Sequence, residues 1–287
     1  MTTDDSYWFR AGTWAWDNWE KIETRLGKVY SWFRKDKPTT NSVTTEQEAG
    51  ILIIGPGGVG KTTLARLLSG EYGNHLFDGY WQNAESISQE HYSLSDDKSI
   101  EVVIPPGQKS RREATWLEIQ SDITNGKYRG VVLVVGYGYH SYVIESYKTH
   151  PLYQKSKKQF LENLLNDNLA EELRVLQFLK QGFDGAAKKI WLFVVVTKQD
   201  LWWDDRDAVK DHYTTGDWQS EIAAIKSKLG VKWFRNEIAF TSLVIRNFET
   251  NEGQQLKRNT EGYDQKMQSD SLKRVFETVD GLREWEG

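Results

Sequence analysis

Three observations predict a three-layer α/β fold with a mainly parallel central sheet. Short, wholly apolar runs, Ile51-Leu52-Ile53-Ile54, Val131-Val132-Leu133-Val134-Val135 and Ile190-Trp191-Leu192-Phe193-Val194-Val195-Val196, read as strands buried on both faces. Stretches with apolar residues at helical spacing fall between these runs. Glycine, proline and polar residues follow the strands, so the turns that would carry a ligand lie at one end of the sheet. Alternating strands and helices pack as helices on both faces of a parallel sheet.

The bulk numbers narrow the classes. A chain of 287 residues can bury a core without disulfides or metal staples. It has no cysteine, which excludes thiolate metal sites and cysteine nucleophiles. A net charge of −4 argues against a dedicated nucleic-acid binder. The opening Met1-Thr2-Thr3-Asp4-Asp5 is acidic and leads into no apolar run, so it does not read as a secretory leader. The apolar runs are too short to span a bilayer. A cytoplasmic protein, soluble or peripheral to a membrane, is the expectation.

Residues 1–37 form a segment of their own. Trp16, Trp19, Ile22, Leu26, Val29 and Phe33 fall on one stripe of an amphipathic, tryptophan-rich helix, or of two helices broken near Gly12. Its placement stays open between packing on its own domain, docking on a protein partner, and lying on a membrane surface through residues 8–33. Arg34, Lys35 and Lys37 keep the last option available. Residues 38–49 are polar and aperiodic and read as a linker.

The next element organises the rest. Gly55-Pro56-Gly57-Gly58-Val59-Gly60-Lys61-Thr62, followed by Thr63, matches the phosphate-binding pattern G-x-x-x-x-G-K-[ST] in full. A strand precedes it and a helix over residues 63–68 follows, closing near Ser69-Gly70. The glycines let backbone N–H groups turn toward phosphates, and the helix N-terminus adds positive potential. Lys61 is expected at the β- and γ-phosphates, and the Thr62 hydroxyl on Mg²⁺.

Residues 71–99 are irregular and read as a mobile loop able to contact a terminal phosphate and a protein partner. Residues 100–104 read as a strand ending in Pro105-Pro106-Gly107-Gln108, with basic Lys109, Arg111 and Arg112 next. Arg111 and Arg112 fit either a solvated face or phosphate contacts. After the apolar strand 131–135 comes the loop Gly136-Tyr137-Gly138-Tyr139-His140-Ser141. Residues 156–180 carry a leucine-rich stripe of one long helix or two. The strand 190–196 runs directly into Thr197-Lys198-Gln199-Asp200. A helix over 218–229 closes at Gly230, a last strand over 237–240 ends at Thr241-Ser242, and a helix lies near 271–282.

With the phosphate loop and Thr197-Lys198-Gln199-Asp200 both in place, the chain resembles the GTPase superfamily, the Ras-like and translation-factor-like G domains, in its divergent members. The resemblance implies a P-loop nucleotide-binding domain over residues 50–287, with an insertion around 140–189. Its guanine motif is [NT]-K-x-D after a buried strand. Asp200 would then accept hydrogen bonds from the guanine ring N–H and amine, Lys198 would lie along the base, and Thr197 stands in for the commoner asparagine. Thr241-Ser242 falls where a looser base-contact motif belongs. Only Ser242 fits it, and Leu243 replaces the usual lysine.

The departures bear on turnover. The resemblance places a D-x-x-G motif at Ile104-Pro105-Pro106-Gly107, where the aspartate orients Mg²⁺ and the glycine N–H meets the γ-phosphate. Gly107 is kept; Ile104 has no group to offer a metal-bound water. Gln108 follows as a residue that would orient the attacking water. No threonine lies between Thr63 and Thr115 to fill the family's first switch position. Ser86, Ser88, Ser93 and Ser95 are the substitutes available, and Glu101, Asp96 and Asp97 the replacement carboxylates. The expected ligands are GTP or GDP with Mg²⁺. Three functions follow: slow or partner-assisted GTP hydrolysis with Lys61 and Gln108 as catalytic residues, a nucleotide-dependent interaction module with negligible turnover, or an ATP-using protein in which 197–200 is coincidence.

Overall fold

The computed structural model describes residues 50–70, 89–94, 101–106 and 109–285, with the backbone alone for 109–114. The tryptophan-rich helix, the linker, most of the 71–99 loop, Gly107, Gln108 and the side chains of Arg111 and Arg112 lie outside the described residues.

The strand β1 (Gly50–Ile54) leads into the helix α1 (Lys61–Leu68), and β2 (Glu90–Ser93) precedes β3 (Glu101–Ile104). Then follow α2 (Lys109–Thr124), β4 (Tyr128–Val135), β5 (Val143–Ile144), α3 (Lys157–Phe183) and β6 (Ile190–Val196). The short α4 (Gln199–Trp202) opens a run through α5 (Arg206–Thr214) and α6 (Gly216–Leu229) to β7 (Phe234–Phe240). The chain closes with β8 (Phe248–Thr250), β9 (Gln255–Lys257) and α7 (Gln265–Arg283).

Six strands form one sheet in the order β2-β3-β1-β4-β6-β7. All neighbours are parallel except β2 and β3. Alternation along the strands sends side chains to two cores. Leu52, Ile54, Leu133, Val135, Leu192 and Val194 pack with α3, α5 and α6 on one face. Ile51, Ile53, Val132, Val134, Phe193 and Val195 pack with α1 and α7 on the other. The predicted three layers are therefore observed.

Several elements settle or add to what the sequence pattern left open. The 156–180 stretch is one 27-residue helix, capped by the Ser156 hydroxyl accepting from the Gln159 N–H. The basic residues after the Pro-Pro turn open α2. Residues 140–189 hold β5, one 3₁₀ turn and the crossover helix α3. The sequence pattern did not predict β2, nor the small sheet β5-β8-β9. These strands are two to four residues long and polar in part, so their pairing is set by neighbours rather than by an apolar signal.

Candidate functional site

The loop after β1 has the geometry its glycines predict. Gly58 and Gly60 have φ of 77° and 100°, where a side chain is strained. A Cβ on Gly58 would stand 2.3 Å from the His140 carbonyl oxygen, so this position also needs glycine for close approach. Gly60 is the N-cap of α1 and no side chain caps the helix. Its first-turn N–H groups are thus arranged for an anion. Lys61 is buried, and its ammonium donates to the Pro56 carbonyl at 2.7 Å, folded back along the loop it would share with phosphates.

The Thr62 hydroxyl meets a carboxylate that the sequence did not single out. It lies 3.4 and 3.3 Å from Oε1 and Oε2 of Glu90. Glu90 opens β2 and pairs in register with Ile104. The Tyr92 hydroxyl donates to Glu90 Oε2 at 2.9 Å, and Arg66 Nε donates to Tyr92 at 3.3 Å. Ile104 is fully buried in the apolar core, as a residue without a metal-ligating group should be. Two expected substitutes are wrongly placed: Glu101 and Ser93 pair with each other at the opposite end of the β2–β3 ladder, and Glu101 instead bonds His91. Among the described residues no group of three or more His, Cys, Asp or Glu could hold a metal ion. Thr62 and Glu90 would therefore need waters or phosphate oxygens to complete a cation's shell.

The loop after β6 is tied directly to the phosphate loop. The Thr197 hydroxyl lies 2.8 Å from the Val59 carbonyl and 2.9 Å from that of Val135. Lys198 has a positive φ of 62° and caps α4. The Gln199 N–H donates to the Thr241 carbonyl at 3.1 Å, and the Ser242 hydroxyl donates to Asp200 Oδ1. Residues 55–62, 197–200 and 241–242 thus share the rim at the carboxyl ends of β1, β6 and β7, as expected from sequence.

A phosphate loop after β1, Thr-Lys-x-Asp after β6, and parallel β3-β1-β4-β6-β7 with an antiparallel β2 at the edge decide the architecture. This is a three-layer α/β fold of the P-loop type. No protein-family model matches the chain, and no curated protein matches it. Similar solved structures include the signal recognition particle receptor SRb-GTP/SRX complex from Chaetomium thermophilum, at 13% identity over 70% of this chain and 93% of that one, TM-score 0.43. The GDP complex of the ADP ribosylation factor-like GTP binding protein, a small COPII coat GTPase, from Encephalitozoon cuniculi gives 13% identity, 84% of each chain and a TM-score of 0.37. NFeoB from S. thermophilus bound to GDP, AlF₄⁻ and K⁺ gives 14% identity, 68% of this chain, 55% of that one and a TM-score of 0.32.

Around Asp200 the rim is built from more than the Thr197–Asp200 motif. Asp200 is fully buried and both its oxygens are engaged. Oδ1 accepts from Ser242 and from the Tyr142 hydroxyl at 2.8 Å, and Oδ2 accepts from the Arg246 N–H at 2.9 Å. The Lys198 ammonium lies 3.7 Å from the centre of the Tyr142 ring. Burial pushes Lys198 down to about 7, against the pull of the Asp200 charge. Burial also pushes Asp200 above the ordinary carboxylate range, opposed by the hydrogen bonds from Ser242, Arg246 and Tyr142. The remaining cavity, lined by Gly58, Gly60, Tyr142, Thr197, Lys198 and Leu243 among others, measures about 100 Å³. That is below the roughly 300–1,000 Å³ of ordinary ligand pockets.

Tyr142 is held there by a clamp on the preceding loop. Glu172 of α3 is fully buried. Its Oε1 accepts from the N–H groups of Gly136 and Gly138, both at 3.0 Å, and lies 3.1 Å from His140 Nε2. Tyr213 of α5 donates to its other oxygen. Burial raises the Glu172 pKa, but these hydrogen bonds and the His140 charge outweigh it and hold the group below its ordinary value. Tyr137, in the same loop, and Lys198 are the non-glycine residues with positive φ among the described residues. Such backbone strain clusters where structure is held for function. Sequence reading missed Glu90, Tyr142, Glu172 and Arg246. Only Glu172 left a trace, as an acid on the apolar stripe of Phe160, Leu164, Leu176 and Leu179.

Proposed function

We propose that the chain binds a guanosine nucleotide, with the phosphates at the N-terminus of α1 and the base against Asp200 and Lys198. The supporting observation is the Thr197 hydroxyl on the Val59 carbonyl, which couples the base motif to the phosphate loop. Lys61 would leave the Pro56 carbonyl for the β- and γ-phosphate oxygens. Thr62 and Glu90 are the donor groups that fit Mg²⁺, and a bound Mg²⁺ would neutralise charge on those oxygens. Hydrolysis of GTP to GDP would need a water attacking the γ-phosphorus as the bond to the bridging oxygen breaks. Lys61 would stabilise the charge that develops, and Gln108 is the residue proposed to orient the water.

Base identity is tested by competition. GDP and GTP should displace a fluorescent guanine nucleotide while ADP and ATP do not. Asp200→Asn should move preference toward xanthosine nucleotides, because an amide N–H complements the extra carbonyl of xanthine. Equal displacement by ADP and GDP would sink the guanine reading.

One observation favours a second reading, a nucleotide-dependent interaction module with negligible turnover: Ile104 offers no carboxylate at the position where the resemblance places one to orient the metal. Single-turnover hydrolysis with wild type, Gln108→Ala and Lys61→Ala separates the two. Turnover above the buffer rate that falls in both variants supports the enzyme; binding without turnover supports the module.

A further inference from the structure

The hydrogen-bond donors that fill Asp200 are the starting point. A carboxylate meant to read a purine edge must have acceptor capacity facing the pocket. In this structure two hydroxyl protons, from Tyr142 and Ser242, serve two acceptors, Asp200 Oδ1 and the Val244 carbonyl, which lies 2.6 Å from the Tyr142 oxygen and 2.7 Å from that of Ser242. The Arg246 N–H occupies Oδ2. Ser242 and Arg246 belong to the stretch after β7 and flank the site. Tyr142 arrives from the opposite side, on the loop after β4, and places a planar ring beside the Lys198 ammonium with an O–H donor at its edge. A flat π face over lysine and an edge donor to aspartate are the two features by which this site would hold a guanine base.

The segment that carries Tyr142 is suited to hold it and to release it. Upstream, Glu172 clamps residues 136–140, and the His140 carbonyl rests against Gly58 of the phosphate loop. Downstream, the two-residue strand β5 pairs with β8, and the Tyr142 carbonyl accepts from the Glu249 N–H at 2.9 Å. A ladder this short contributes little on its own. Asp200 is sealed from solvent, whereas Tyr142 is only partly buried. The tyrosine packs on the margin of the core rather than inside it, so an outward swing gives up edge contacts and leaves the fully buried cluster in place.

Resting on the guanine reading of Asp200 and Lys198, we propose that Tyr142 is the resident occupant of the base site and sets its affinity for guanine. A base binds when residues 141–143 withdraw and Tyr142 yields its place on Asp200. Affinity is then reduced by the fraction of molecules with the site open. Removing the ring removes the competitor; removing only the hydroxyl weakens it.

The test is a titration of the full chain with GDP, and separately with pyrophosphate, for wild type, Tyr142→Phe and Tyr142→Ala. Circular dichroism checks that each variant is folded. The expected result is GDP binding at least about tenfold tighter in Tyr142→Ala, with a smaller gain in Tyr142→Phe. Pyrophosphate, which uses the phosphate loop alone, should change much less. If Tyr142→Ala does not fold, the sign of the Tyr142→Phe effect decides. GDP affinity that is unchanged or weaker in folded variants overturns the proposal and leaves the guanine reading standing. Pyrophosphate binding with no GDP preference in any variant overturns the guanine reading, and this inference with it.

Discussion

Glu90 stands directly across the β2–β3 ladder from Ile104, and its carboxylate reaches the Thr62 hydroxyl. Ile104, where the resemblance would place an acid, and Glu90, which carries one, are therefore neighbours on adjacent strands, and the Glu90 carboxylate faces Thr62. The Tyr92 hydroxyl fixes the carboxylate from the other side.

This pairing predicts that Glu90→Gln uncouples Mg²⁺ from nucleotide binding. Wild type should bind GDP more tightly with Mg²⁺ than with a chelator present. In Glu90→Gln that ratio should shrink by about tenfold, the lower end of what a metal-site partner is worth. Affinity without Mg²⁺ should hold or improve, because a negative charge beside the phosphates is gone. Mn²⁺ binding followed by electron paramagnetic resonance reports the same loss without any turnover. An unchanged ratio would return Glu90 to a purely structural role beside Tyr92.

Thr197 offers a second test, because its hydroxyl sits between the Val59 and Val135 carbonyls. Thr197→Val keeps the shape and removes the hydroxyl proton; the Val135 carbonyl keeps its bond from the Thr197 N–H at 2.8 Å, and the Val59 carbonyl loses the hydroxyl. The variant should lose about 1 kcal/mol of stability, the net worth of one such bond with an acceptor left buried. Nucleotide affinity should fall as well, since the phosphate loop and the base loop would no longer be held to one another. Thr197→Ser should restore both. Lost stability with unchanged affinity would mean that the bond serves the fold alone.

The uneven legibility of this site has a physical origin. The phosphate loop, Thr197–Asp200 and strands β1, β4 and β6 were readable because each is a contiguous pattern: glycines at fixed spacing before a helix, or an apolar run buried on both faces. Glu90 was not, because what matters about it is the antiparallel register that puts it opposite Ile104. No local signal marks Glu-His-Tyr-Ser as an edge strand. Tyr142 was hidden for a similar reason. It meets Asp200 across 58 residues, and Val244 across 102. Asp200 could be named from its motif, but its saturation by Tyr142 and Arg246 belongs to tertiary structure. Gly107 and Gln108 keep only their sequence-based assignment.

Gly130 gives a prediction about the scaffold beneath the site. It lies opposite Trp191 in the β4–β6 ladder, and a Cβ there would fall 2.0 Å from the buried indole. The atoms it would strike belong to a rigid ring that is almost completely buried, not to the end of a flexible chain. Gly130→Ala should therefore destabilise the domain by about 1–3 kcal/mol, the usual cost of overpacking, in spite of alanine's better strand entropy. A lowered urea midpoint with an unchanged slope would agree. A neutral or stabilised variant would show that β4 and β6 can separate without cost.

The clamp at Glu172 ties stability to pH in a direction that can be worked out. Its folded-state pKa lies below the ordinary glutamate value, because His140, Tyr213 and the Gly136 and Gly138 N–H groups favour the charged form more than burial opposes it. A depressed carboxylate binds fewer protons folded than unfolded, so its contribution is complete above the unfolded value of 4.5. It is lost as pH falls from there through the lower folded value. Glu172→Gln keeps an acceptor for the two N–H groups and abolishes the titration. Near pH 7 the variant should be less stable by about 1.5–3 kcal/mol, the range for hydrogen bonds to a charged group. Urea midpoints measured downward from pH 7 should stay apart until the ordinary glutamate range and converge below it. Loosening this clamp should also free the loop that carries Tyr142, so hydrogen exchange across residues 136–142 should quicken in the variant. A stability gap that persists unchanged into acid would mean that the carboxylate acts by shape rather than by charge.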